Sequence, residues 1–175
     1  MPTSIAVSPA SKEDRPEVER LLQLCLQDYN RHSPRHIEDD GSFAYPWLDL
    51  YWSSERRHPY LIRSEGEVAG FVFVREKEPD EVAEWRWQIA EFFVLRKFRR
   101  KSVGTRSAHA VLAGRSGIWE VAYDVANGPA RQFWSAIAES RIPTTRSSLT
   151  GDGKEHFLLE TKEAEGKEPS LNTNG

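Results

Sequence analysis

A basic segment joins two different sequence patterns in this chain. An apolar run ends at Leu95, and a helix-like pattern begins near Ser102 and ends near Ala113. A strand that turns tightly into a helix leaves several backbone N–H groups unpaired where the helix dipole adds positive potential. Such a junction binds anions, phosphate above all. Six basic residues reinforce the sign of the charge, namely Arg96, Lys97, Arg99, Arg100, Lys101 and Arg106.

One carboxylate, Glu91, stands inside the apolar run just before this segment. Partial burial there would raise its pKa towards neutrality, where a carboxylate can act as a general base. The alternatives are a salt bridge to a nearby arginine and an exposed position on the sheet surface. Glu84 is a second candidate base, although it lies nearer the preceding loop.

The cysteine and histidine residues do not indicate a nucleophile or a metal site. Cys25 falls on the apolar face of a helix pattern, which favours a buried packing role over a nucleophilic one. His32 and His36 are four residues apart but flank Pro34, and the histidines have no cysteine partner in a ligand spacing. We therefore expect no metal.

The composition limits the class of protein. The chain has 175 residues, of which 38% are hydrophobic and 29% are charged, as in folded globular proteins. We expect a single domain over residues 1–161 and a disordered C-terminal tail over residues 162–175. The formal net charge is −3, whereas a nucleic-acid-binding domain is usually basic overall. The basic segment is therefore local, and we expect no nucleic-acid partner.

The sequence also indicates the cellular compartment of the protein. No stretch approaches the roughly 18 apolar residues of a membrane span, and the first residues lack the pattern of a signal peptide. The single cysteine excludes an intramolecular disulfide and suits a reducing compartment. We expect a cytoplasmic protein without a membrane partner.

The elements that position these residues alternate between strands and helices. Periodicity and turn residues predict this order. The predicted strands cover residues 4–7, 60–63, 68–74, 88–95, 119–125, 144–149 and 156–161, and the predicted helices follow residues 11, 102 and 128. A variable region over residues 30–58 is rich in aromatic side chains, which form either a lid packed on the core or a binding surface.

Three motifs in this order resemble those of the GNAT (Gcn5-related N-acetyltransferase) family. The basic segment is similar to the family's pyrophosphate loop, Arg/Gln-x-x-Gly-x-Gly/Ala, with Arg99 and Gly104 at its ends. Ser102 stands where glycine is usual, and Arg96 stands where proline is common. Residues 127–134 resemble the family's Asn-x-x-Ala-x-x-Phe-Tyr, and residues 66–71 resemble its Gly-Glu-x-x-Gly-Phe hairpin.

The resemblance covers about residues 5–161 and implies an α/β (α+β) fold. That fold is a central mixed, mostly antiparallel twisted sheet of about six to seven strands, flanked by about four helices, with a splayed strand pair. It also implies acetyl-CoA as the acyl donor. The implied coenzyme-binding residues are Val94, Leu95, Arg99, Arg100, Lys101, Ser102, Val103, Gly104, Thr105, Asn127, Ala130, Phe133 and Trp134.

In this family an amine attacks the thioester carbonyl directly, so a base must take a proton from it. Glu91 is the candidate base. The family often has a tyrosine acid where this chain has Trp134, and an indole cannot protonate a thiolate. Tyr123 is the nearest alternative hydroxyl in the sequence, and a mechanism without a protein acid also remains open.

The acceptor side of the fold includes the variable region. Acidic and aromatic side chains there suit a cationic amine, although an acidic loop is also an ordinary solvated surface. The candidate substrate-binding residues are Asp39, Asp40, Tyr51 and Trp52.

The sequence thus predicts an acetyl-CoA-dependent N-acetyltransferase that acts on a small cationic amine or a protein amino group. The alternative is a catalytically inactive acyl-CoA-binding or regulatory module, which the departures at Ser102 and Trp134 keep open. Nucleic-acid binding through the basic segment is a third, less favoured interpretation. A homodimer is left open.

Overall fold

The computed structural model describes residues 4–141, 145–149 and 153–161 of the chain. Its strands are β1 (Ile5–Pro9), β2 (Arg57–Ser64), β3 (Glu67–Glu76), β4 (Trp87–Val94), β5 (Gly117–Asp124), β6 (Thr145–Leu149) and β7 (Lys154–Thr161). Its α-helices are α1 (Arg15–Tyr29), α2 (Leu50–Ser53), α3 (Val103–Ala113) and α4 (Gly128–Arg141). A short 3₁₀ helix, Arg96–Phe98, precedes α3.

The strands form one mixed sheet in the order β1-β2-β3-β4-β5-β7-β6. Strands β4 and β5 pair in parallel, and the other neighbouring strands in the described residues pair antiparallel. The predicted α/β fold class is confirmed. The final hairpin is confirmed as β6 and β7, whereas its tip and the predicted disordered tail lie outside the described residues.

Each face of the sheet carries its own core. On one face, α3 and α4 pack against β3, β4, β5 and β7 through residues such as Val111, Ile137 and Trp119. On the other, α1 and α2 pack against β2, β3 and β4. The apolar stripe of α1 includes Val18, Leu22 and Cys25, spaced as one helical face requires. Cys25 is buried as predicted, and burial raises the pKa of its thiol.

Two irregularities shape the middle of the sheet. The parallel pairing of β4 with β5 ends at Ile89 and Val121, so the later residues of the two strands have no ladder between them. On the other edge of β4, Ile89 pairs with Val74 and Glu91 pairs with Phe73, which leaves Ala90 as a β-bulge. A bulge shifts the side-chain alternation by one residue. The predicted splayed strand pair is present, and the bulge lies at its start.

The hairpin of β2 and β3 brings the backbone of β3 unusually close to β4. A Cβ atom on Gly70 would lie 2.0 Å from the carbonyl oxygen of Phe93, so only glycine fits. The register between β2 and β3 also shifts beside Gly70, which marks a β-bulge there. None of the helices in the described residues has the length and apolar character needed to cross a bilayer.

Candidate active site

The basic segment folds as a loop that leads into α3. Arg100 and Ser102 both adopt left-handed backbone conformations, with φ angles of 60° and 59°. Glycine adopts this conformation without strain, which explains why the family motif has glycine at the position of Ser102. In the described part of the chain, the backbone N–H groups of residues 100–105 donate to no acceptor. They are available to an anion at the start of α3.

The basic side chains of this loop divide into two groups. Arg96 and Arg99 donate to the two carboxylate oxygens of Asp28 on α1, and Lys97 pairs with Glu67. Arg100 and Lys101 are exposed and form no ion pair within the described residues. The positive charge at the start of α3 therefore comes from the second group and from the backbone.

Arg99 also fixes the end of β4. Its Nε donates to the carbonyl oxygen of Val94 over 2.7 Å. The N–H of Leu95 donates to Ala69 of β3, so the alternation of an antiparallel pair turns the backbone groups of Val94 and Phe92 towards β5. Because β5 has already separated there, these N–H groups line a slot between the two strands.

Aromatic rings form one wall of this slot. Phe133 on α4 stacks on Phe92 with a centroid distance of 5.5 Å, and Trp134 meets both rings edge to face. Gly104 approaches the same rings, and a Cβ atom there would lie 3.3 Å from Phe133. Asn127 accepts a hydrogen bond from the Ala130 N–H and thereby caps α4. The structure thus brings the predicted residues of α3, α4 and β4 together.

Glu91 follows the bulge and faces α1. It is partly buried, and burial raises its pKa to about 7. The guanidinium of Arg35 and the hydroxyl groups of Tyr45 and Tyr29 lower the pKa, but they do not cancel the effect of burial. A carboxyl group that titrates near neutrality can exchange protons at physiological pH.

Tyr123 lies on the opposite face of the sheet from Glu91. Its ring packs against Phe157 in the core under α3 and α4. Burial and the nearby Glu155 carboxylate raise its pKa to about 12. The structure does not bring the two candidate proton-transfer residues together.

The predicted aromatic acceptor residues lie inside the packing of α1 and α2. Tyr51 is buried and stacks on Phe73 with a centroid distance of 3.8 Å. Trp52 donates its indole N–H to the Ser11 carbonyl, and the guanidinium of Arg15 lies over its ring. Both contacts are those of a lid packed on the core.

The predicted acidic acceptor residues belong to an exposed turn. Asp40 accepts hydrogen bonds from the hydroxyl and the backbone N–H of Ser42, and these bonds lower its pKa. Asp39 is exposed beside it. The structure places this pair in a local turn rather than in contact with Glu91.

The α1 side of β5 and β7 carries a polar floor that was not among the features predicted from the sequence. Among the described residues, the core under α1 and α2 includes no residue of these two strands. Glu120 and Ala122 of β5 and His156 of β7 occupy this face instead, since their neighbours in sequence point into the other core. The alternation of apolar and polar residues along β5 could have indicated this floor, because the second face of the strand is polar. Within the described residues, no three His, Cys, Asp or Glu side chains are grouped as a metal site requires.

Solved structures share this fold. They include an acetyltransferase from Thermus thermophilus, 14% identical, covering 90% of this chain and 96% of that one, with a TM-score of 0.65. The PaiA N-acetyltransferase of Thermoplasma acidophilum in complex with coenzyme A is 10% identical over 90% and 99% of the two chains, with a TM-score of 0.64. The aminoglycoside acetyltransferase AAC(6')-Ib, also with coenzyme A, is 12% identical over 91% and 95%, with a TM-score of 0.62.

A match of the amino-acid sequence identifies the family of this chain. No curated protein matches it. The model of the acetyltransferase (GNAT) family matches residues 17–136, which is more than half of the chain. Together with the splayed strands and the free N–H groups at the start of α3, this match shows that the chain belongs to the GNAT family of acetyltransferases.

Proposed function

We propose that this GNAT-family enzyme is an acetyl-CoA-dependent N-acetyltransferase in which an acceptor amine attacks the thioester directly. The observation that carries the proposal is Glu91, a partly buried carboxyl group whose pKa burial raises to about 7, beside the slot between β4 and β5. At that pKa a carboxylate can take a proton from an ammonium group near neutral pH.

The residues at the slot fit the coenzyme. The free N–H groups of residues 100–105 and the side chains of Arg100 and Lys101 suit a pyrophosphate. The N–H groups of Phe92 and Val94 suit the amides of an extended pantetheine arm, and the aromatic wall suits its apolar parts. Coenzyme A in the structures of PaiA and of AAC(6')-Ib supports this assignment.

Glu91 and the backbone of β4 each have a part in the proposed reaction. The coenzyme supplies the activated acetyl group. Glu91 accepts a proton from the acceptor ammonium, which makes the nitrogen nucleophilic. A backbone N–H of β4 stabilises the negative charge that develops on the thioester oxygen. The acceptor is an amine on a small molecule or on a protein.

The test combines binding with turnover. We expect acetyl-CoA to raise the melting temperature and a panel of amines to include at least one that is acetylated. Glu91→Gln should keep coenzyme binding and lower kcat by about 10²- to 10⁴-fold. Glu84→Gln is the matched control, because Glu84 is an exposed carboxylate in the preceding loop.

The rival hypothesis is a catalytically inactive acyl-CoA-binding module. A wild-type protein that binds acetyl-CoA but acetylates no amine in the panel would favour that module. Equal turnover by Glu91→Gln and the wild type would instead reject the role of the base. We also propose a cytoplasmic location, in line with the single buried cysteine, Cys25.

A further inference from the structure

A carboxylate–histidine pair lies on the polar floor and is not used by the mechanism above. Glu120 is 7% exposed and is one of the few buried charged residues described. One of its oxygens accepts from the Gln88 amide over 2.5 Å, and the other is hydrogen-bonded to Nδ1 of His156. The carboxylate can only accept, so Nδ1 carries a proton, and Nε2 is the acceptor nitrogen whenever the ring is neutral.

The acceptor nitrogen of this histidine has no partner in the described protein. Nε2 of His156 is buried and makes no hydrogen bond, although the side chain as a whole is 23% exposed. Buried polar atoms are nearly always paired, and those that are not are often found where a ligand binds or a reaction occurs. A lone pair in this position requires a donor, and an ammonium group is one.

His156 and Glu91 lie on the two strands that flank β5, close to the end of the β4–β5 ladder. Ala122 of β5 pairs with His156 of β7, and Ile89 of β4 pairs with the preceding residue of β5, Val121. Glu91 lies just beyond the bulge, so it and His156 flank Ala122 at a similar level of the sheet. Both face the α1 side.

An independent observation supports this proximity. The ammonium group of Lys154, two residues before His156 on β7, is close enough to lower the pKa of Glu91. The side chain between the two candidate groups is only a methyl group, that of Ala122. A carboxylate on β4 and an imidazole on β7 therefore lie on the same face of the sheet, with only the methyl group of Ala122 on the strand between them.

We propose that His156, oriented by Glu120, is a second proton acceptor for the amine, facing Glu91 across Ala122. This inference rests on the proposed function. An ammonium that becomes an amide loses two protons from nitrogen, and one carboxylate with a single site accepts only one. A second acceptor on the other side of Ala122 can take the second proton.

The reaction takes two protons from the nitrogen and returns one to the sulfur. The ammonium gives its first proton to the Glu91 carboxylate, and the nitrogen lone pair forms the new C–N bond at the thioester carbon. The nitrogen, now positively charged, gives its second proton to Nε2 of His156 as the C–S bond breaks. The sulfur leaves with the bonding electron pair and takes up one proton. The other proton passes to solvent, and both acceptors return to their starting states.

The test is chemical rescue of a truncated side chain. His156→Ala should lower kcat by about 10²-fold or more with the dissociation constant of acetyl-CoA unchanged. Added imidazole should restore part of kcat in this variant. Glu120→Gln should also lower kcat, but imidazole should not restore it, because the ring is still present and only its orientation is lost.

The chain offers a matched control in His58. Its Nε2 is also buried without a hydrogen bond, but its ring packs near Trp87 on the other face of the sheet, at a centroid distance of 6.0 Å. His58→Ala should keep kcat and show no response to imidazole.

Two results would overturn the inference while leaving the proposed function intact. One is a His156→Ala enzyme with kcat within about twofold of the wild type. The other is a loss of kcat that imidazole does not reverse and that is accompanied by weaker acetyl-CoA binding, as a purely structural network would produce. A wild-type enzyme that acetylates no amine would instead reject the proposed function itself.

Discussion

The carboxylate of Asp28 on α1 accepts a hydrogen bond from the guanidinium of Arg99 over 2.5 Å, and the same guanidinium donates to the carbonyl oxygen of Val94. One arginine thus joins helix α1 to the end of the strand that borders the slot. Arg96 donates to the other carboxylate oxygen over 2.8 Å. Asp28 therefore holds both arginines on the side of α1.

Replacing Asp28 with Asn should weaken acetyl-CoA binding because the loop loses its anchor to α1. The ion pairs are partly exposed, so we expect a modest effect, about three- to tenfold in the dissociation constant. Isothermal titration calorimetry measures it. Glu67→Gln is the control, since its pairing with Lys97 lies on the exposed surface, and it should bind the coenzyme as the wild type does.

Replacing Gly104 with Val should abolish the rise in melting temperature that acetyl-CoA causes. A Cβ atom there would already lie 3.3 Å from the Phe133 ring, and the branched methyl groups would push that ring into the slot. Gly128→Ala is the comparison, because a Cβ atom at the start of α4 meets nothing within 4 Å. A coenzyme-induced shift in Gly104→Val as large as in the wild type would contradict this interpretation of the slot.

Replacing Ser102 with Gly should stabilise the protein without weakening coenzyme binding. Ser102 has a φ of 59°, a conformation that costs a non-glycine residue about 1 kcal/mol. Glycine relieves that strain and keeps the backbone N–H. Its greater freedom in the unfolded state offsets part of the gain, so we expect less than about 1 kcal/mol in denaturant unfolding.

The pH dependence of turnover should follow Glu91. A base acts in its deprotonated form, and the pKa of this carboxyl group is raised to about 7. The value of kcat/KM should therefore rise as the pH increases through about 7. Glu84→Gln should keep this rise. A profile that is already flat between pH 5 and 8 in the wild type would exclude Glu91 as the titrating base.

The raised pKa of Glu91 should also make the folded protein less stable as the pH increases, whereas it makes turnover faster. The pKa of Glu91 is about 7 in the folded protein and near 4.5 for an unperturbed group. The folded state therefore holds this proton more tightly, and the resulting stabilisation is present below about pH 4.5 and is lost as the pH rises to about 7. Glu91→Gln removes the penalty, so we expect it to be more stable than the wild type at pH 8 by up to about 3 kcal/mol.

The sequence predicted the order of elements and the tight turn into α3 because these depend on local patterns. The hairpin around Gly66, the apolar strand and the cap of α4 by Asn127 all act over a few residues. Gly104 was identified by motif alone, and the structure adds its contact with Phe133, more than twenty residues away. Such tertiary contacts have no signal in a single sequence.

The residues predicted to bind the acceptor were harder to assign because their local pattern had competing explanations. The aromatic side chains of Tyr51 and Trp52 suit both packing and binding, and only the contacts with Phe73 and Arg15 distinguish the two roles. The pair formed by Glu120 and His156 joins residues on two strands with α4 between them in sequence. Only the strand register brings these two side chains together.

The short parallel ladder between β4 and β5 has a consequence for local opening of the sheet. Three residue pairs, from Trp87↔Trp119 to Ile89↔Val121, join the two halves of the sheet directly. Beyond them, backbone amides in the middle of a large sheet lack a neighbouring strand. Hydrogen–deuterium exchange should therefore be fast at Phe92 and Val94 although both lie in a central strand. A bound pantetheine arm would serve as the missing strand, so the ligand would complete the sheet and tie its two halves together.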